Sequence, residues 1–407
     1  MLQKLLSSTT QKGINLKALY NCVRNEPELT KAEIAQSTGL KLSTCARLLE
    51  ELIEQGLLYE SGEAESSGGR KPKKYSIQPD VNYLVGIDIS RTFSKVVLMG
   101  LDLKIIAEER FDMNDSSTPD VMIEQFTQVI HSMLDRNNIP DASLLGIGVS
   151  AIGPLDTKQG VIKNPLHFPA PKWEDVPIKE MLKKHFDTNI ELDYGENTAL
   201  DAERRLGAAR DDKNVIYINK GAGIRLAIML NREILRSTGG DKVGAFGQGH
   251  MVVDIHGKKC VCGNYGCMNT YSTIPALLTE AKSRLKRGHS SILSETVDDF
   301  STLTFLQLVS ALKQGDDFSE QVVKDVAYYS AAGLANMVII FHPSIIILSG
   351  PMYREMKLYY QTVVEMTEAR YKKLFPQLNV AFSQGELGEN AAAIGAGSLV
   401  LDSLLSF

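Results

Sequence analysis

The feature that most restricts this chain is a run of three cysteines within eight residues, Cys260-Val261-Cys262-Gly263-Asn264-Tyr265-Gly266-Cys267, preceded by His250. A Cys-x-Cys pair clamps one edge of a metal ion. Gly263 and Gly266 let the chain turn tightly enough for Cys267 to close the site. With His250 the set supplies the four N/S ligands of a tetrahedral Zn2+ site. Protein fills all four positions, so the expected ion is structural rather than hydrolytic. Five cysteines in 407 residues are too few for a disulfide framework. The other two, Cys22 and Cys45, fall at helix core positions and carry no expected chemistry.

Length predicts two to four domains at roughly 100–200 residues each. Lys+Arg 44 against Asp+Glu 49 gives a net charge of -5, which excludes a globally basic nucleic-acid coat and leaves room for a local basic segment. No apolar run reaches the roughly 18 residues of a membrane span. The nearest, 335–348, is broken by His342-Pro343, and the N-terminus lacks an apolar signal region. A cytoplasmic protein with no membrane partner is expected.

Residues 1–80 predict a winged helix-turn-helix. Apolar residues at helical spacing cover 14–23. Thr30-Lys31-Ala32-Glu33 is a capping-box pattern, and Gly39 is placed to end that helix. Cys45, Leu48, Leu49 and Leu52 then recur at i, i+3, i+4 and i+7, giving one apolar face up to Gly56. Residues 57–59 and 75–77 are strand-like around a loop at 61–69 that runs into Arg70-Lys71-Pro72-Lys73-Lys74. The second helix would enter the major groove by its N-terminal end. Lys41 can meet a phosphate, Ser43 and Thr44 either a phosphate or a base edge, and Arg47 a guanine. Arg70, Lys71 and Lys73, beside two glycines, have the placing of a basic wing tip.

From residue 83 strands and helices alternate. Strands are expected at 84–88, 95–99, 105–110, 145–150, 189–193, 215–219, 224–230 and 345–348, and helices at 121–134, 197–207 and 322–341. That order predicts a largely parallel α/β core in two lobes with a cleft between them. The expected division is 1–80, 81–200 and 201–407.

The segment from Gly249 to Cys267, Gly-His-x(9)-Cys-x-Cys-Gly-Asn-x-Gly-Cys, resembles the zinc motif of the ROK family of repressors, open reading frames and kinases. The helix-turn-helix with Gly68-Gly69-Arg70 is similar to the repressor branch, which includes xylose and N-acetylglucosamine repressors. Weaker matches are Val85-Gly86-Ile87-Asp88, Gly148 to Pro154, Ala335-Asn336 to Pro343, Ser349-Gly350 and Ile394-Gly395-Ala396. The resemblance implies a bilobal actin/hexokinase-like (ribonuclease H-like) body. It implies a repressor of carbohydrate-utilisation genes, xylose metabolism among them, with a sugar or sugar-phosphate effector in the cleft. The implied assembly is a homodimer or tetramer on double-stranded operator DNA. Candidate effector contacts are Gly153, Glu196 and His250.

Several positions depart from the family's kinases. Gly195 stands where the catalytic Asp is expected and cannot take a proton, and the carboxylates of Asp193 and Glu196 are out of register. The phosphate loops become Asp88-Ile89-Ser90-Arg91-Thr92 and Gly221-Ala222-Gly223-Ile224-Arg225. Arg225 either obstructs the approach of a phosphate or attracts an anion. Gly247 and Asn269 replace the family's sugar-binding glutamates. These losses predict a protein with no catalytic residues. Two alternatives remain: an ATP-dependent sugar kinase carrying a DNA-binding domain, and a regulator without a small ligand, controlled by a protein partner.

Overall fold

The structure is a computed structural model that describes residues 2–65, 71–165, 168–236 and 247–405. The chain divides into two compact units, Met1–Arg205 with Asn390–Phe407, and Leu206–Glu389.

The first unit begins with the helical layer expected from the caps. Helix Gln11–Asn25 packs on Lys31–Thr38 and Leu42–Glu54. The capping box forms: Thr30 Oγ1 accepts from Glu33 N–H, and the Glu33 carboxylate accepts from Thr30 N–H at 2.7 Å. Gly39 ends the helix in the left-handed region. Cys45, Leu48, Leu49 and Leu52 are all buried. A three-stranded antiparallel sheet follows in the order Leu29–Thr30, Lys73–Ile77, Leu58–Glu63. The strand after the helices runs further than expected, because Gly62 and Glu63 pair with Lys74 and Lys73 beyond a bulge. Ser66 to Arg70 lie outside the described residues.

The same unit holds a five-stranded mixed sheet in the order Asn189–Tyr194, Leu144–Ala151, Tyr83–Ile89, Phe93–Gly100, Ile105–Asp112. The last three strands are antiparallel, and the first two run parallel to Tyr83–Ile89. The terminal helix Ala391–Leu405 packs on this sheet, backbone against backbone: a Cβ at Gly86 or Gly148 would collide with the carbonyl of Ala393 or Ala396. The sequence-based division placed 201–407 in the second lobe. The terminal helix joins the first unit because its apolar face, through Ile394, Val400 and Leu401, is buried there.

The second unit carries another mixed sheet, ordered Glu233–Ile234, Ile224–Leu230, Val215–Lys220, Ile345–Ser349, Ala381–Ser383. Its core joins Ile216, Ile218, Ile346 and Leu348 to helices Ile274–Lys286, Asp317–Phe341 and Lys357–Tyr371. The long helix starts five residues before its expected position because the Asp316 carboxylate accepts from Ser319 N–H at 3.0 Å and caps it. Among the described residues no helix is long and apolar enough to cross a membrane.

Candidate nucleic-acid interface and metal centre

Lys41 sits at the N-cap of helix Leu42–Glu54 without a side-chain capping bond. Lys41, Ser43 and Arg47 are exposed and Thr44 is half-buried, so the first turns present polar groups outward while the opposite face fills the core. Of the carboxylates at the far end, Glu51 is bound to Lys12 at 2.8 Å. The wing is less free than its composition suggests. Lys73 binds Glu60 at 2.6 Å, Lys74 binds Glu28 at 3.3 Å, and Lys71 lies 4.0 Å from Glu63. Arg70 lies outside the described residues.

In the second unit, the ligand atoms of His250, Cys260, Cys262 and Cys267 all lie within 4.8 Å of one another. Cys260 Sγ is 3.4 Å from His250 Nδ1, and Cys262 Sγ is 3.7 Å from Cys267 Sγ. Thiolates about 2.3 Å from a tetrahedral Zn2+ sit about 3.8 Å apart, so the spacing fits that ion and is far too long for a disulfide. Short ladders build the site: Cys260 N–H donates to Asn264 O at 2.7 Å, Gly266 N–H to Lys258 O at 2.9 Å, and Met268 N–H to Met251 O at 2.8 Å. Gly266, at φ 73°, lies where a Cβ would strike the Asp254 carbonyl. The Tyr271 hydroxyl accepts from Lys258 N–H at 2.6 Å and donates to Asp254 at 3.1 Å, closing the loop from behind.

Cys260 and Cys267 do not ionise alike. Burial opposes charge on Cys260, but hydrogen bonds from Cys262, Thr270 and His250 outweigh it and draw the thiol down to about 6. Burial and the adjacent thiols push Cys267 up to about 12. A cation entering the site would favour the thiolate of Cys267 against that burial.

Gly153 and Glu196 belong to the first unit and His250 to the second. A Cβ at Gly153 would meet the Tyr194 ring, and Glu196 is buried in the first turn of helix Gly195–Leu206. Asp193 is likewise buried and accepts from Tyr194 N–H at 2.8 Å and Asn197 Nδ2 at 3.1 Å. The Arg225 guanidinium donates to Asn219 at 3.3 Å.

Lys220 ends the central strand of the second unit and is fully buried. Its ammonium donates to the hydroxyls of Ser272 at 3.3 Å, Tyr359 at 3.5 Å and Ser330. Burial pushes its pKa down to about 7.

The family model described as "ROK family" matches residues 84–403, and one described as "Winged helix-turn-helix DNA-binding" matches residues 14–59. The chain is 25% identical over 403 residues to the xylose repressor of Bacillus spizizenii, covering 98% of both chains. Its fold is similar to the crystal structure of a ROK family transcriptional regulator, a homolog of the Escherichia coli MLC protein (TM-score 0.77, 19% identity, 97% of this chain and 96% of the other). It is also similar to a ROK hexokinase from Thermus thermophilus (TM-score 0.64, 22% identity), which covers 79% of this chain and 99% of its own.

Proposed function

The chain belongs to the ROK family, and we propose that it is a non-catalytic, zinc-stabilised transcriptional repressor whose grip on operator DNA is set by a sugar-derived effector. The observation that carries this reading is the exposed polar start of helix Leu42–Glu54, fused to a family body with Gly195 at the acid–base position. Lys41 would bind a phosphate and fix the register. Ser43 and Thr44 would reach a phosphate or a base edge, and Arg47 would fork onto guanine. Lys71 and Lys73, with Arg70, would follow the backbone from the wing. Their carboxylate partners must be exchanged for phosphates, which makes the wing contribution strongly salt-dependent.

Zn2+ would be held by His250, Cys260, Cys262 and Cys267. Bound there it supplies a fixed tetrahedral crosslink. The residues around it shape the loop: Gly266 allows the close turn, and Tyr271 ties Lys258 to Asp254. Glu196, Gly153 and His250 are the proposed effector contacts. The effector must bind two states of the repressor unequally to change DNA affinity. The protein would act in the cytoplasm, as a homodimer or tetramer on a palindromic site. Gly247 and Asn269, in place of the family's sugar-binding carboxylates, favour a second reading in which a protein partner replaces the sugar.

Pull-down of genomic fragments with the purified protein, with and without a panel of sugars and sugar phosphates, tests this. The expected result is one enriched palindrome released by one compound. An enriched site that no compound releases would support the protein-controlled reading. Phosphorylation of any panel sugar by ATP would overturn the non-catalytic assignment.

A further inference from the structure

Both points where the chain passes between its compact units lead into one ion cluster. The chain leaves the first unit at Arg205, in the last turn of helix Gly195–Leu206. It returns at Asn390, one residue before the terminal helix Ala391–Leu405. Arg205 donates to both carboxylate oxygens of Asp402, at 2.8 and 2.9 Å, to Asp201 at 2.8 Å, and to the Asn25 side chain. Asp402 also accepts from Arg24 at 2.6 Å, and Arg24 donates to the Ser398 hydroxyl at 2.9 Å and carbonyl at 3.2 Å. Arg24 and Asn25 are the last residues of helix Gln11–Asn25, which packs against both helices of the helix-turn-helix. One carboxylate therefore joins the DNA-reading module to the two helices at the crossings.

Its two guanidiniums are buried, the Arg24 side chain 2% and that of Arg205 6% exposed, while the Asp402 side chain they share is 38% exposed at the rim. Burial, and then the charge of Arg205, make Arg24 less basic than an ordinary arginine. Burial works against the charge of Arg205 as well, but Asp201 and Asp402 outweigh it and make it more basic. Desolvating two guanidiniums costs about as much as their pairing returns, and apolar side chains of that volume would hold the helices together as well. What the charged group adds is a single geometry: Arg205 Nε holds Asp201, Nη1 holds Asn25 and Nη2 reaches both oxygens of Asp402, so the planar guanidinium meets all three partners in one orientation.

We infer that Arg24, Arg205 and Asp402 are positioning residues for DNA reading, which pass a rearrangement of the body to the winged helix-turn-helix without touching DNA or effector. The inference rests on the DNA-binding function proposed above. A change in the path of the chain beyond Arg205 turns its guanidinium, loosens Asn25 and Asp402, and frees Arg24.

The test is hydrogen–deuterium exchange of the full-length protein with and without a duplex of the genomic fragment that it enriches. Coupling is reciprocal, so DNA should slow exchange in residues 195–205 and 391–405 as well as in 31–54. Asp402→Asn removes the shared charge. The double variant Arg24→Met with Asp402→Leu removes both charges at similar volume, and covers the case in which the single variant fails to fold. In each, the distant response to DNA should vanish and affinity for the enriched fragment should fall about tenfold. Affinity for an unrelated duplex should stay within about twofold, since it depends on phosphate contacts alone. A wild-type response confined to 31–54, or a double variant that keeps the distant response, overturns the inference alone. Failure to enrich any fragment overturns the proposed function and this inference with it.

Discussion

The helix-turn-helix and the metal loop are segments of similar length held together by opposite means. Helix Leu42–Glu54 buries Cys45, Leu48, Leu49 and Leu52, none more than 1% exposed. In the metal loop Val252, Ile255, Val261 and Tyr265 are 46% to 79% exposed. The first segment has a core of its own and needs no ligand to fold. The second leaves its larger apolar side chains in water, so its shape rests on backbone ladders, on Tyr271 and on what its four N/S atoms bind.

Cys260→Ser challenges that contrast most severely. Removing one ligand should abolish bound zinc and destabilise the second unit by on the order of 3–5 kcal/mol, as loss of a structural metal does. Metal analysis and limited proteolysis check it: cleavage should appear within 250–267 while 11–54 stays protected. Full zinc content and an intact loop would remove the contrast. The converse change is Leu48→Ala, expected to cost about 2–5 kcal/mol through the cavity it leaves. Denaturant titration should show the loss in the helix-turn-helix, with zinc content unchanged.

Lys220 sharpens the comparison where the loop meets the body, because its ammonium holds the Ser272 hydroxyl. Its native pKa of about 7 lies below the unfolded value of about 10.4. Between those values the unfolded chain binds more protons, so stability should rise with pH across that window and be flat below it. Lys220→Met should remove a slope of about 1 kcal/mol per pH unit, read by denaturation at pH 7, 8 and 9 with zinc in excess. An unchanged slope would show that the group titrates normally. The smallest effect is expected from Thr30→Ala, about 1 kcal/mol for the lost cap. Its faster amide exchange should stay within residues 31–38; spread to the metal loop would mean the two segments are not independent.

Much of both sites was legible because their signals are short-range. Thr30 and Glu33 are three residues apart, the apolar face repeats within one helix, and Cys260 to Cys267 span a single turn-rich loop. The wing was harder. Lys71, Lys73 and Lys74 form a basic cluster in the sequence, yet each faces a carboxylate supplied from elsewhere, Glu63, Glu60 or Glu28. Cross-strand register decides those pairs, and a bulge between Glu60 and Gly62 sets that register. The candidate effector residues were legible only as a family pattern, because no periodicity or spacing marks Gly153 or Glu196.

By itself the sequence determined the helix-turn-helix, the alternating strands of the body and the identity of the four residues that could hold a metal ion. Each depends on side-chain period, capping or spacing that acts over a few residues. Only the tertiary structure decided that the terminal helix closes the first unit's sheet, that Lys220 is sealed among three hydroxyls, and that Arg24 meets Asp402. Those last two residues stand 378 positions apart. No local preference acts over such a distance. Their meeting follows from burying the terminal helix's apolar face against the sheet, and the charged end of that helix is carried to Arg24 with it.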